Sequence, residues 1–454
     1  MTSPGSGWIP TSGPVGEHDG EWGRSVGKGA DVVAERQGAG PVAVEMATSE
    51  PPVAHAGVHS EVGVLRRVLV HRPGLELSRL TPSNKDEFLF DEIPWTERAQ
   101  EEHDAFVEVL GSCGVEVLEL RDLLADVLAI ETVRARLIES TMDRGHLERA
   151  VARPLAERLH ALAPGELADA LIGGVTITET PSGADCLLAR IDGGRQFAIP
   201  PLPNHIFVRD SSAWIGDRPY LGEMALPARR REAAHLLAVY RHHPRFQDGP
   251  EPFTDPASLE GGDVLVLAPG RVMVGVGART SPAAVERIAL ALTARDATAQ
   301  VLVAVLPTRR ATIHLDTVVT MVDRDAFTIY PEVAEGMRIL RLRRAGEGLR
   351  IDARSDLGSA LADMLGLRSV RLIPTGGDPH ARDREQWNDA NNVLALSPGV
   401  VIGYDRNVAT NERLHAAGVE VLTFPGAELG RGRGGARCLS CPLERESPEE
   451  GARP

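Results

Sequence analysis

The segment LGRGRGGARCLSCP (429–442) sets a cysteine, Cys438, behind three arginines, Arg431, Arg433 and Arg437, with glycines between them. The thiolate is the nucleophilic form of cysteine and nearby cations favour it, so this spacing predicts a thiol with a depressed pKa. The glycines allow backbone to approach a ligand closely. An isolated buried cysteine would be inert, and the arginine and glycine setting argues for a nucleophile instead. Cys441 completes a Cys-x-x-Cys, but redox use of that motif calls for a strand–helix junction near the start of a thioredoxin-like unit, and here Pro442 and a charged tail follow. Zinc would need two more ligands at short spacing, and Cys113 and Cys186 are distant. Cys441 is therefore read as a packed neighbour.

Acidic residues supply possible partners. In IHLDTVVTMVD (313–323), His314 and Asp316 are two apart, which on a strand puts both on one face. A histidine beside a carboxylate suits proton transfer and cation binding. LEGGDV (259–264) carries Glu260 and Asp263, and PNHIFVRDSSAWIG (203–216) carries Asp210. Each segment alone could be a solvated turn or a surface ion pair. Together with a framed cysteine they describe one chemistry. Two carboxylates clamp a planar, permanently charged guanidinium, a thiolate attacks its central carbon, and a histidine protonates the leaving nitrogen and then activates water.

Those residues need elements to hold them. Asp210, Asp263 and Asp316 are spaced 53 residues apart, each in what reads as a strand context followed by a second strand, a helix and another apolar strand. Such repetition indicates a repeated unit whose acids could face one centre. LRRVLVHRPG (65–74) reads as a buried strand closed by a turn, TERAQEEHDAFVEVLGSCG (96–114) as a helix ending on Gly114, and VEVLEL as a strand. Residues 121–178 are dense in helical pattern and read as a helical insertion. Residues 1–57 are rich in Gly, Pro and Ser without periodicity and read as a disordered extension. The remaining divisions are a catalytic part, 58–120 and 179–446, and a tail, 447–454.

The chain of 454 residues has 49 Lys+Arg against 64 Asp+Glu, a formal charge of −15. That disfavours nucleic acid as a partner and suits a cationic small molecule. Four cysteines make no disulfide scaffold, and no apolar run suggests a leader or a membrane span, so a cytoplasmic location is expected.

The segments GVHSEVGVLRRVLVHRPGLELSRLTPSNKDEFLFDEIPW, PLPNHIFVRD, LEGGDVL, HLDTVVTMVD, REQWNDANNVLALSPGVVIGYDRN and GRGRGGARCLSCPL, in this order, strongly resemble the arginine deiminase family over roughly residues 57–446. The resemblance implies an α/β fold, a five-fold pseudo-symmetric α/β propeller (pentein) with an inserted helical domain. It implies hydrolysis of L-arginine to L-citrulline and ammonia with no metal and no organic cofactor. Carried over, Cys438 would be the nucleophile and His314 the general acid/base. Asp210 and Asp316 would grip the guanidinium, and Glu260 would hold a guanidinium nitrogen and help position His314. Arg229 and Arg279 would bind the substrate carboxylate with Asn204 assisting. Phe207 would line the aliphatic stem, the backbone of Leu89 would lie near the α-amino group, and Arg433 would sit on a closing loop. Family analogy also points to a homo-oligomer, a dimer or tetramer. The alternatives are another guanidino-modifying enzyme (agmatine deiminase, dimethylarginine hydrolase or amidinotransferase) and a catalytically silent arginine-binding protein.

Overall fold

The computed structural model describes residues 57–143, 149–180, 190 and 196–446. The expected disordered extension up to residue 56, the tail 447–454 and Cys186 lie outside the described residues. The described part is α/β, and one arrangement recurs in it five times. Two antiparallel strands are followed, after a helix or a longer excursion, by a third strand that joins the second in parallel.

The first such motif is Ala213–Ile215, Arg218–Glu223 and Phe253–Ser258. The second is Val264–Ala268, Arg271–Val276 and Gln300–Val305, extended by the hairpin Arg338–Ala345/Gly348–Arg354. The third is Val319–Asp323, Ala326–Ile329 and Arg371–Pro374, and the fourth Leu394–Ser397, Val400–Tyr404 and Glu420–Phe424. The fifth is made from both sequence ends of the described part: Cys441–Arg445 pairs antiparallel with Leu65–Val70, which pairs in parallel with Glu116–Glu119.

Local chemistry explains these elements. Apolar residues, chiefly valine, dominate Arg271–Val276 and Gln300–Val305, which pair in parallel and are nearly continuously buried, as a parallel pairing covered on both faces requires. The helix Pro282–Arg295 begins at Ser281, whose hydroxyl accepts from the Ala284 N–H, with proline at its first position. Thr96–Ser112 buries Ala99, His103, Phe106 and Leu110 at three- and four-residue intervals, and Gly114 follows it with φ +76°. Helices Leu120–Leu128, Glu131–Asp143, Arg149–Ala161 and Pro164–Gly173 fall in the helix-rich stretch. Leu124, Val127, Leu155 and Leu171 there share one core with Trp214, Leu236 and Tyr240 of the first motif.

The acids do not lie on strands. Asp210 is in the helical turn Val208–Ser211, Asp263 in the 3-10 turn Gly261–Asp263, and Asp316 in the 3-10 turn Leu315–Thr317, with His314 capping it. This corrects the strand reading of all three segments. The turns are buried, and their backbone groups are met by tertiary partners, such as the Leu315 N–H donating to Asp263 Oδ1 at 2.9 Å. Each turn immediately precedes the first strand of a motif, so the 53-residue interval records the spacing of equivalent turns.

Candidate active site

Each of the five motifs brings such a turn: those at Asp210, at Glu260–Asp263, at His314–Asp316, at Asp389–Asn392 and at Arg437–Cys438. They touch in sequence. Asp263 holds the Leu315 backbone, the Asn392 amide donates to Asp316 O at 3.4 Å and accepts from the Cys438 N–H at 2.9 Å, and the Arg209 N–H donates to Cys438 O at 3.3 Å. Gly261 and Gly262 bring the remaining pair together. A Cβ on Gly261 would meet Arg209 O at 2.1 Å, and one on Gly262 would meet His314 Cγ at 2.7 Å and Asp210 Oδ1 at 2.8 Å. Only glycine permits that approach.

At the meeting point Cys438 is buried, with its thiol 3.8 Å from Asp316 Oδ2. His314 Nε2 donates to Glu260 Oε2 at 2.7 Å, and its Nδ1 lies 3.5 Å from Asp210 Oδ1. Burial pulls the imidazole pKa down, but the charge of Asp210 and the Glu260 hydrogen bond outweigh it and raise it to about 9. His314 is thus an imidazolium at neutral pH. Burial likewise pushes Glu260 up, and its bond to His314 and the charge of Arg279 bring it down to about 2.

Internal arginines hold one side of each acid. Arg229 Nη1 donates to Asp210 Oδ2 at 2.5 Å, and its other donors go to Glu232 and to the carbonyls of Asn204 and Phe207. Arg437 Nη1 donates to Asp316 Oδ2 at 2.7 Å, while its Nε and Nη2 reach Glu61 at 3.2 Å. Arg279 Nη1 donates to Glu260 Oε2 at 3.0 Å. The opposite oxygens, Asp210 Oδ1 and Asp316 Oδ1, together with His314 Nδ1, are buried with no hydrogen-bond partner. These three atoms are what the site offers to a ligand.

The predicted depression of the Cys438 pKa is wrong for this state. Burial, then Asp316, Asp210 and Asp389, push the thiol well above its ordinary value, with Arg437 opposing. The other arginines of the segment are spent elsewhere: Arg431 pairs with Glu92 and Glu428 at the surface, and Arg433 donates to Trp387 O at 2.6 Å and lies 3.8 Å over the Trp387 ring. Cys441 is buried against Ser212, as expected of a packed neighbour.

The other expected residues gather nearby. Asn204 donates to Phe88 O at 2.7 Å, Phe207 stacks on Phe90, and Gly432 and Gly434 pack against the Phe207 ring. Leu89 takes φ +66° and lines, with Arg279, an open cavity of about 390 Å³. Sequence reasoning missed Asn392, which anchors the Cys438 backbone, and Asp389, a buried acid at φ +60° with both oxygens unpartnered. The WNDANN motif contained both. Donor atoms of Asp210, Glu260 and His314 lie within 4.8 Å of one another, a spacing that could accommodate a cation. With its ring protonated, His314 offers no lone pair to a metal.

No helix of the described residues is long and apolar enough to cross a membrane. The chain shares 13% identity and a TM-score of 0.53 with SxtG, an amidinotransferase from Microseira wollei, over 86% of this chain and 98% of that one, which is a likeness of fold. It is 48% identical over 394 residues to the arginine deiminase of Rhodococcus opacus, covering 86% of this chain and 97% of the relative. The arginine deiminase of Mycobacterium tuberculosis is 47% identical over 395 residues, 86% of this chain and 98% of the relative. The arginine deiminase family model matches residues 86–445. A match of that extent, over a buried cysteine, histidine and acids converging as described, means that the chain belongs to the arginine deiminase family.

Proposed function

We propose that this protein hydrolyses L-arginine to L-citrulline and ammonia through a covalent intermediate on Cys438. The observation that carries this reading is the pair of buried oxygens without hydrogen-bond partners on Asp210, beside the imidazolium, and Asp316, beside the thiol. A guanidinium has N–H donors on each edge and can meet the oxygen of each acid that Arg229 and Arg437 leave open.

That charge also answers the raised thiol pKa. A cation between Asp210 and Asp316 offsets the acids that oppose ionisation, so the thiol releases its proton to solvent and the thiolate forms when substrate is present. The sulfur then bonds to the central guanidinium carbon, and His314 transfers its proton to the departing nitrogen, which leaves as ammonia. Neutral His314 next takes a proton from a water that attacks the same carbon. The carbon–sulfur bond breaks, the adduct's hydroxyl proton passes to solvent as the carbonyl forms, the thiolate is returned and citrulline leaves. Glu260 keeps His314 oriented throughout.

The polar lining of the 390 Å³ cavity supports an α-amino acid over a simple amine. It contains Asp86 together with Arg279 and Arg309, both signs of charge, as a zwitterion requires. Arg279 remains a candidate for the substrate carboxylate. Arg229 has all three nitrogens engaged and would have to exchange partners to serve that role. A citrulline assay comparing arginine with agmatine tests the assignment; rapid turnover of agmatine would move the function to the neighbouring class.

The recurrence of one strand pattern, with turns touching in cyclic order, supports a five-fold pseudo-symmetric propeller built from 58–120 and 179–446, with 121–178 inserted. Family membership supports a homo-oligomer, and sparse cysteine usage a cytoplasmic location.

A further inference from the structure

We propose that Arg310, held by Asp91, is a specificity-determining residue that fixes the carbonyl of Leu89 and sets affinity for the amino-acid end of the substrate. This rests on the arginine-hydrolysing reading above and extends it to a residue outside the reacting centre. Leu89 is a non-glycine residue in the left-handed region, a conformation that persists only when neighbours enforce it. The enforcing neighbour is Arg310, whose Nη2 donates to Leu89 O at 2.6 Å. The same guanidinium pairs with Asp91, Nη2 to Oδ2 at 2.9 Å and Nε to Oδ2 at 3.1 Å. One planar fork therefore bridges a strained carbonyl and a carboxylate on the same loop, a geometry lysine cannot reproduce.

The location gives the contact its function. Arg310 opens the turn Arg310–Thr312, four residues before His314, while Leu89 and Asp91 lie on the loop that leads toward Thr96–Ser112. All three line the open cavity with Arg279 and Ile313. Phe90, between them, stacks on Phe207 with ring centres 6.4 Å apart. The latch thus ties the wall of the cavity to the segment that carries the general acid. It touches neither Cys438 nor the clamp acids, so its loss should be felt in binding and not in chemistry.

Steady-state citrulline kinetics test this. Arg310→Lys keeps the charge and should raise KM for arginine by about ten-fold while kcat stays within about three-fold, the signature of a lost charge-assisted contact remote from the reacting atoms. Asp91→Asn should do the same, and the double variant should be little worse than the worse single one, because both remove one interaction. Thermal melting of each variant confirms that it is folded. An unchanged KM in folded Arg310→Lys, or a fall in kcat at constant KM, would overturn the proposal. If Cys438→Ser retained full turnover, the hydrolytic reading itself would fail, whatever Arg310→Lys shows.

Discussion

Cys438 ionises reluctantly among Asp316, Asp210 and Asp389, and that reluctance can be measured directly. Alkylation of the free enzyme by iodoacetamide should still be accelerating at pH 9, because burial and three acids hold the thiol above its ordinary value; a plateau near neutrality would contradict the geometry. Cys438→Ser should abolish citrulline formation and leave the melting temperature nearly unchanged, since serine replaces sulfur in a site that otherwise keeps its contacts. His314 must carry its proton for the first step, so kcat/KM should fall as pH rises through about 9. Asp389 gives a stability prediction of opposite origin. Burial raises its pKa to about 6, with Arg433 opposing, so the folded state holds this proton more tightly than the unfolded chain. Its contribution to stability is therefore best at low pH and declines as pH rises from about 4 to 6. Asp389→Asn should raise stability at pH 8 by on the order of 1–3 kcal/mol and change little at pH 4. Chemical denaturation at the two pH values distinguishes these outcomes, and asparagine tolerates the left-handed backbone there.

The turns are the elements that decide whether the site exists. Gly262→Ala would drive a Cβ into His314 and Asp210, and activity should drop by at least about a hundred-fold, because displacing reacting groups by even 1 Å is that costly. Near-normal kcat in this variant would mean that the turn can yield. Much of this was legible in the sequence. The interval of 53 residues marked equivalent positions, the helix Thr96–Ser112 ended at its glycine, and Cys438, His314, Glu260, Asp210 and Asp316 all reach the same centre. The strand assignment of the acids failed for a physical reason. A segment such as IHLDTVV alternates polar and apolar residues whether it is extended or wound into one short turn, and the turn is held by a hydrogen bond from the Leu315 N–H to Asp263, 52 residues away. The depressed thiol pKa failed similarly. Arginines adjacent in sequence to Cys438 find partners elsewhere, Arg437 in a glutamate 376 residues earlier and Arg433 in the Trp387 carbonyl, and no local pattern encodes those choices.

Across the whole described chain, one of the long connections in sequence is among the most buried. Glu61 receives Arg437, which also holds Asp316, so the first turn of the fold is wired to the last and to the clamp. Burial works against the Glu61 charge, but Arg437 and Arg209 bring its pKa down to about 2. A depressed acid stabilises above its ordinary range, near 4.5, and loses that contribution as pH falls toward 2. Glu61→Gln should cost roughly 3–5 kcal/mol at neutral pH, because it removes one of the two carboxylates that offset a buried arginine, and should flatten the acid limb of stability; a urea titration at pH 4 and 7 measures both. The strand pairing of Leu65–Val70 with Cys441–Arg445 has a further consequence, which concerns synthesis. On the ribosome, the second strand of the fifth motif is made hundreds of residues before its antiparallel partner. Until that partner emerges, Leu65–Val70 has one open edge, a template for wrong pairing, and the nucleophile arrives only with the segment that covers it. A growing chain therefore cannot hold a working enzyme before its last strand is made.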